Sequence, residues 1–286
     1  MAEMLWKPQF VRDAPRRDGI YRCLTAARLQ EIEPLLAHYR RIREADGYRQ
    51  RNATYYRSLP YVDAQDPQSA TWRIRQQSFR NLARVLQRLS GHPLRVLDLG
   101  AGSGWLSHRL TALGHACVAL DWLDDLEDGL GAVAQYPVTF TCVQADFDDL
   151  PLLPGQFDVA IFNASLHYSS DPGRTLRNAR ETLVPGGLVV VMDSPVFKSD
   201  EGGRKMLAAP QFDVRSRDGT PLRWGIGYLT ERRLEQAARN ANLTMRWMGS
   251  NGGPGWALKR QFAGLKARRA PARFGLWFGV SKPASS

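Results

Sequence analysis

Asp98, Asp121, Asp146 and Asp193 each fall at or beside the end of a short apolar run, and His167 follows another. A carboxylate so placed can accept charge-assisted hydrogen bonds from hydroxyls or amines. A histidine there titrates near neutrality and can take a proton. The first of these acids lies within "VLDLGAGSGW", residues 96–105, with Gly100, Gly102 and Gly104 at alternate positions. Bare backbone of this kind takes unusual dihedrals and lets a ligand approach closely.

The elements that must hold these residues can be read from the apolar pattern. From about Leu94 to Ser194, strands and helices alternate. "LRVLDLG", "ACVALDW", "VTFTCVQAD", "FDVAIFNASL" and "LVVVMDS" read as five strands. "WLSHRLTALG" reads as a helix with Leu106, Leu110 and Leu113 on one face and Gly114 to end it. Asp171 and Pro172 open a second helix as N-cap and first residue, with Leu176, Ala179 and Leu183 as its stripe; "VPGG" then turns the chain. Thr230 caps a late helix, with Leu234, Ala237, Ala238 and Ala241 facing inward. "TMRWMG" and "FGLWFGVSK" close the chain as an antiparallel edge pair. Near-continuous apolar strands between helices imply an α/β fold whose parallel sheet is covered on both faces.

Strand, glycine-rich turn and helix together form the geometry of an adenosine cofactor, bound where strand order reverses. A dinucleotide fingerprint wants G-x-G-x-x-G. Here its third glycine falls on Trp105, too large for close helix–strand packing. Asp98 would repel a pyrophosphate and suits a cationic ligand. S-adenosylmethionine has a sulfonium, an ammonium and no phosphate.

"VLDLGAGSGW" resembles the first motif of class I S-adenosylmethionine-dependent methyltransferases. "FNASLHYSSDPGRTLRNARETLVPGG" is similar to the N-x-x-LHH-x-x-D-P…L-x-PGG signature of the quinone-biosynthesis-like branch, and "YLTERRLEQAARNANL" to its late helix. The likeness covers roughly residues 90 to 250. It implies a Rossmann-like sheet of seven strands and a cofactor held by Asp98, Gly100, Ala101, Gly102, Gly104, Trp105 and Asn163. It implies ribose hydroxyls on Asp121 and the adenine amine on Asp146. Trp122 and Phe147 are placed to cover the adenine ring. In similar enzymes a tyrosine near the N-terminus closes over the site, which draws attention to Tyr55, Tyr56 and Tyr61. "RRDGIYRC" is similar to the end of a zinc ribbon found in some relatives, but only Cys23 remains and no metal is expected.

His167 and Asp193 are the candidate bases. Histidine at the first of these positions recurs in relatives with different acceptors, which leaves a structural role open. The second histidine of the signature is Tyr168 here. With Tyr61, Trp224 and Tyr228, His167 and Tyr168 are candidates to line an acceptor pocket. The acceptor is expected to be a small molecule methylated at oxygen, nitrogen or carbon. No N-P-P-Y tetrad follows the fourth strand; "NASL" stands there instead.

The first ninety residues read as helical, in "LQEIEPLLAHYRRI" and "TWRIRQQSFRNLARVLQRL". The second puts Trp72, Phe79, Leu82, Leu86 and Leu89 on one stripe, with Arg75 interrupting it. An arginine there either binds an anion, such as the cofactor's methionine carboxylate, or snorkels from the edge. Residues 1–90 thus form a helical N-terminal extension or lid. Residues 91–286 form the methyltransferase domain, with an insertion at about 195–228.

The chain has 286 residues, 43% hydrophobic and 23% charged, an ordinary globular balance. No apolar run approaches the roughly 18 residues of a membrane span, and the start lacks the apolar core of a secretory signal. A soluble cytoplasmic protein is expected. Cys117 and Cys142 lie in apolar strands and read as small buried hydrophobes. The formal charge is +11, and no acid follows Gln236. That basic C-terminal third keeps a tRNA or rRNA methyltransferase as an alternative. A cofactor-binding subunit without catalysis is a second.

Overall fold

A computed structural model describes residues 6–7, 16–49, 51–208, 214–215, 219, 221–222, 225–250 and 272–281. A hairpin comes first, β1 (Arg16–Arg17) and β2 (Ile20–Arg22), followed by the helices α1 (Ala26–Ala45), α2 (Ala53–Ser58) and α3 (Ser69–Leu89). Then come β3 (Arg95–Leu99), α4 (Trp105–Ala112), β4 (Ala116–Asp121), β5 (Thr141–Gln144), β6 (Phe157–Asn163), α5 (Pro172–Glu181) and β7 (Leu183–Met192). Next come β8 (Val196–Phe197), α6 (Asp200–Leu207), β9 (Val214–Arg215), β10 (Pro221–Leu222) and β11 (Leu229–Thr230). The chain ends on α7 (Glu231–Asn240), β12 (Leu243–Gly249) and β13 (Gly275–Ser281).

The main sheet runs β1-β2-β5-β4-β3-β6-β7-β13-β12. Its centre is parallel, and β13 and β12 close it antiparallel. Among the described residues the sheet has nine strands rather than seven. The two extra strands come from the segment expected to be helical. Asp18 and Gly19 take φ of 52° and 81° between β1 and β2, and Asp-Gly is the residue pair that a tight type I′ hairpin demands. Ile20 then pairs parallel with Cys142.

Alternation along the strands divides the core in two. Val96, Ile161 and Val190 pack with Leu82, Leu86, Trp105 and Leu106 on one face. Leu97, Ala160 and Val189 pack with Leu176, Ala179, Leu234 and Ala237 on the other. Helices α3 and α4 therefore cover one face, and α5 and α7 the other. "VPGG" is no turn between elements: it is a break in register inside β7, where Leu183 pairs with Phe157 and Leu188 with Val159. Leu89, the last residue of α3, is 47% exposed and leaves the stripe.

Strand order reverses at β3, whose neighbours β4 and β6 lead the chain in opposite directions. In open sheets that is where a crevice forms at the carboxyl ends of the strands.

Candidate active site

A cavity of about 1150 Å³ lies over those strand ends. Its floor takes Gly100, Ala101, Gly102 and Trp105 after β3, Asp121 and Trp122 after β4, Asn163 and His167 after β6, and Asp193 after β7. Its roof takes Tyr39 and Arg43 of α1, Trp72 and Arg75 of α3, and Met206 and Leu207 of α6.

The glycines do different jobs. Gly100 has φ 75°, and a Cβ there would lie 2.3 Å from that of Ser165, so packing alone demands it. Gly102 has φ 54° with its nearest neighbour at 3.4 Å, and its N–H donates to Asp121 Oδ2 at 2.8 Å. Gly104 caps the start of α4 and lies outside the lining. Asp121 Oδ1 accepts from Leu123 N at 2.8 Å. The carboxylate is thus clamped between the glycine turn and its own strand end, with lone pairs left for a ligand. Burial raises its pKa to about 6, against those backbone donors.

Trp122 and Phe147 stack with centroids 6.3 Å apart and planes 16° from parallel. Arg28 of α1 lies over Trp122 at 5.1 Å and pairs with Asp146 at 2.9 Å. Asp146 also caps the next turn through Asp148 N. It therefore faces α1, outside the lining expected for it. Asp98 lies beneath the turn, fully buried, bonded to Ser107 and also outside the lining. Burial raises its pKa to about 7.

At the far end, two residues past strand ends adopt left-handed backbone, Ala164 at φ 56° and Asp193 at φ 55°. Such conformations cost about 1–3 kcal/mol and cluster at working sites. Asp193 is 6% exposed, and its Oδ2 has no hydrogen-bond partner among the described residues. Burial raises its pKa to about 6, while Ser78 and Arg75 pull it down. Asn163 Oδ1 is likewise buried without a partner. His167 Nδ1 lies 3.4 Å from Ser194 Oγ, and burial lowers its pKa to about 4. Arg75 rests on the Trp72 ring at 4.7 Å, with no ion pair among the described residues.

Tyr168 joins the lining, while Tyr56, Tyr61 and Tyr228 do not. Tyr61 instead stacks under Arg80 and Arg109, and the Tyr228 hydroxyl donates to Asp200. Trp224 lies outside the described residues. The roof residues Tyr39, Arg43 and Trp72 had no local signal. Ser78 had one: it interrupts the apolar stripe one turn after Arg75.

A family model described as "Methyltransferase domain" matches residues 72–246, more than half the chain. The chain belongs to the class I S-adenosylmethionine-dependent methyltransferases. Among curated proteins, it is 33% identical over 100 residues to a malonyl-[acyl-carrier protein] O-methyltransferase of Erwinia pyrifoliae, covering 35% of this chain and 37% of that one. It is 28% identical over 118 residues to the tRNA 5-carboxymethoxyuridine methyltransferase of Escherichia coli, covering 40% and 45%. The chain thus spans less than half the length of either. A solved structure of similar fold is the Burkholderia thailandensis 1,6-didemethyltoxoflavin-N1-methyltransferase, with 20% identity, TM-score 0.50, and 95% of this chain and 93% of that one covered. That structure contains S-adenosylhomocysteine and 1,6-didemethyltoxoflavin.

The cavity's groups suit the methyl donor of this family. Asp121 can take a diol, the Trp122 and Phe147 rings a flat heterocycle, Asn163 Oδ1 an ammonium and Arg75 a carboxylate.

Proposed function

We propose that the chain binds S-adenosylmethionine in this cavity and moves its methyl group to a small-molecule acceptor by in-line displacement. One observation carries the reading: a single cavity joins a clamped carboxylate and two stacked rings to an end holding His167 and Asp193. When bound, the cofactor supplies a sulfonium methyl already activated for attack.

Asp121 accepts both ribose hydroxyls, each bond contributing roughly 1.5–3 kcal/mol. Trp122 and Phe147 hold the adenine, and Arg28 closes that end from α1. Arg75 binds the methionine carboxylate, and Asn163 takes the ammonium. The chain's chief contribution is alignment, which can lower a barrier by roughly 7–11 kcal/mol. A base adds about 10²–10⁴-fold where the acceptor is protonated. His167 is neutral at physiological pH because burial lowers its pKa to about 4, so it is a weak base. Asp193 is the stronger candidate.

Methylation of RNA is a second reading, favoured by the net charge of +11. Two basic residues of the C-terminal third have internal partners, Arg239 with Glu235 and Arg273 with Glu231, which supports the small acceptor. The test is calorimetric titration with S-adenosylmethionine and NADH, beside Asp121→Ala. Micromolar binding of the first alone, lost in the variant, is the expected result. Absence of S-adenosylmethionine binding overturns the reading. Activity on RNA that falls steeply with salt replaces the small acceptor with a polyanion.

A further inference from the structure

Asp193 is fixed by a contact that spans the whole domain. Ser78 of α3 lies 115 residues earlier and donates its hydroxyl to Asp193 Oδ1 at 2.6 Å. Ser78 is fully buried. Ser78 Oγ is also hydrogen-bonded to Ser250 Oγ at 2.9 Å. Ser250 is 1% exposed and follows β12. Ser78 thus ties Asp193 Oδ1 to α3 and, through Ser250, to the end of β12, and Asp193 lines the cavity. The other oxygen, Oδ2, has no hydrogen bond among the described residues.

A buried acceptor left without a donor is costly, by about 1–3 kcal/mol and more when charged. Among the described residues, no group near it donates a hydrogen bond to Oδ2. Asn163 Oδ1 is a second unpartnered acceptor one strand away. Arg75 of α3 favours the ionised carboxylate through space, but it gives Oδ2 no hydrogen bond. A protic ligand would supply the missing donor.

We infer that Ser78 and Ser250 are positioning residues that aim Asp193 Oδ2 at the acceptor, and that the acceptor is a phenol-like O–H or heteroaromatic N–H rather than a carboxylate. This rests on the methyltransferase reading above. A carboxylate nucleophile, as in a malonyl or carboxymethoxy group, would face Asp193 with like charge and no proton to give. With a protic acceptor the chemistry closes. The heteroatom's lone pair forms the bond to the methyl carbon as the carbon–sulfur bond breaks, that pair passing to sulfur. The acceptor's proton goes to Asp193 Oδ2 and then to solvent. The methylated product has lost the donor that held it, which favours its release.

The experiment uses the full chain saturated with S-adenosylhomocysteine, whose own binding is measured first for every variant. Ligand-observed magnetic resonance then compares phenol with anisole, indole with 1-methylindole, and benzoate, all at millimolar concentration. Phenol and indole are expected to bind at least about tenfold more tightly than their methylated partners and than benzoate, the scale of one hydrogen bond to a charged group. Asp193→Asn and Ser78→Ala are each expected to reduce that preference to about twofold or less, and Ser78→Thr, which keeps the hydroxyl, to restore it. Thermal melts and retained S-adenosylhomocysteine binding show that the variants are folded. Preference for benzoate, equal binding of the matched pairs, or binding of no fragment overturns the inference and leaves the methyltransferase reading standing. Failure of the wild-type chain to bind S-adenosylhomocysteine overturns that reading itself. A Ser78→Ala variant that keeps the full preference removes Ser78 from the role.

Discussion

Trp72 of α3 meets Trp105, the first residue of α4, edge to face with centroids 5.7 Å apart and planes at 88°. Phe79 meets the same indole at 6.3 Å and 72°. Both tryptophans are buried, and both line the cavity. The residue that spoils a dinucleotide fingerprint is thus the anchor on which the N-terminal helices are built. Replacing Trp105 with Gly, which would complete that fingerprint, should cost about 3–5 kcal/mol of stability and create no affinity for NADH. Urea denaturation and calorimetry read the two effects separately.

The glycine turn should separate into a structural and a ligand-facing position. Gly100→Ala forces a Cβ to within 2.3 Å of another at positive φ. It should destabilise by several kcal/mol or fail to fold. Gly102→Ala has room, with its nearest neighbour at 3.4 Å, and carries mainly the left-handed cost of about 1–2 kcal/mol. It should fold, and lose affinity for S-adenosylmethionine. Equal melting temperatures for the two variants would contradict this division.

Asp98 should make the free protein less stable as pH rises. Its folded pKa, about 7, lies well above the ordinary carboxylate value because the group is fully buried. The folded state therefore binds the proton more tightly, and the stabilisation present at low pH is lost as pH climbs through about 7. Relative to Asp98→Asn, the wild type should lose about 1.4 kcal/mol per pH unit inside that window and nothing above it. Paired urea titrations between pH 5 and 8 measure the difference.

His167 and Asp193 should leave different marks on a pH profile. Acceptor binding through ionised Asp193 should fall as pH drops through about 6, its raised value, and Asp193→Asn should remove that limb. Arg75 of α3 opposes the rise and His167 adds no charge in that range, since burial lowers it to about 4. A limb near the ordinary histidine value that disappears in His167→Gln would reverse the assignment.

Arg43 should be needed for the roof to stay docked. It pairs with Asp128 at 2.8 Å and stacks on Tyr48 at 3.5 Å, and Asp128 is 3% exposed. Removing one partner of a buried pair costs about 3–5 kcal/mol. Arg43→Ala should raise amide exchange across α1 while β3 to β7 stay protected.

What could be read from the chain was what is local. The strand-end residues Asp121, Trp122, Asn163, His167 and Asp193 were found because each follows an apolar run directly, and all line the cavity. Arg75 was found because it breaks a helical stripe. Ser78 breaks the same stripe more quietly, since a serine in a helix needs no partner to explain it. Asp146 and Arg28 lie 118 residues apart, and nothing at either position names the other. The hairpin at Asp18 and Gly19 was overlooked because two- and three-residue strands carry no period to detect.

Five arginines of residues 22–49 join the N-terminal segment to the core: Arg22 to Asp124, Arg28 to Asp146, Arg40 to Asp125, Arg43 to Asp128 and Arg49 to Glu127. The apolar seam beneath α1 is small, with Ile32, Leu36 and Leu123 as its buried members. A cover attached mostly by charge responds to ionic strength, whereas one attached by oil would not. A ligand under α1 lies beneath a cover held by these five pairs, so its residence time should shorten as salt rises while the sheet stays intact. Turnover in this chain would then keep time with the electrolyte around it.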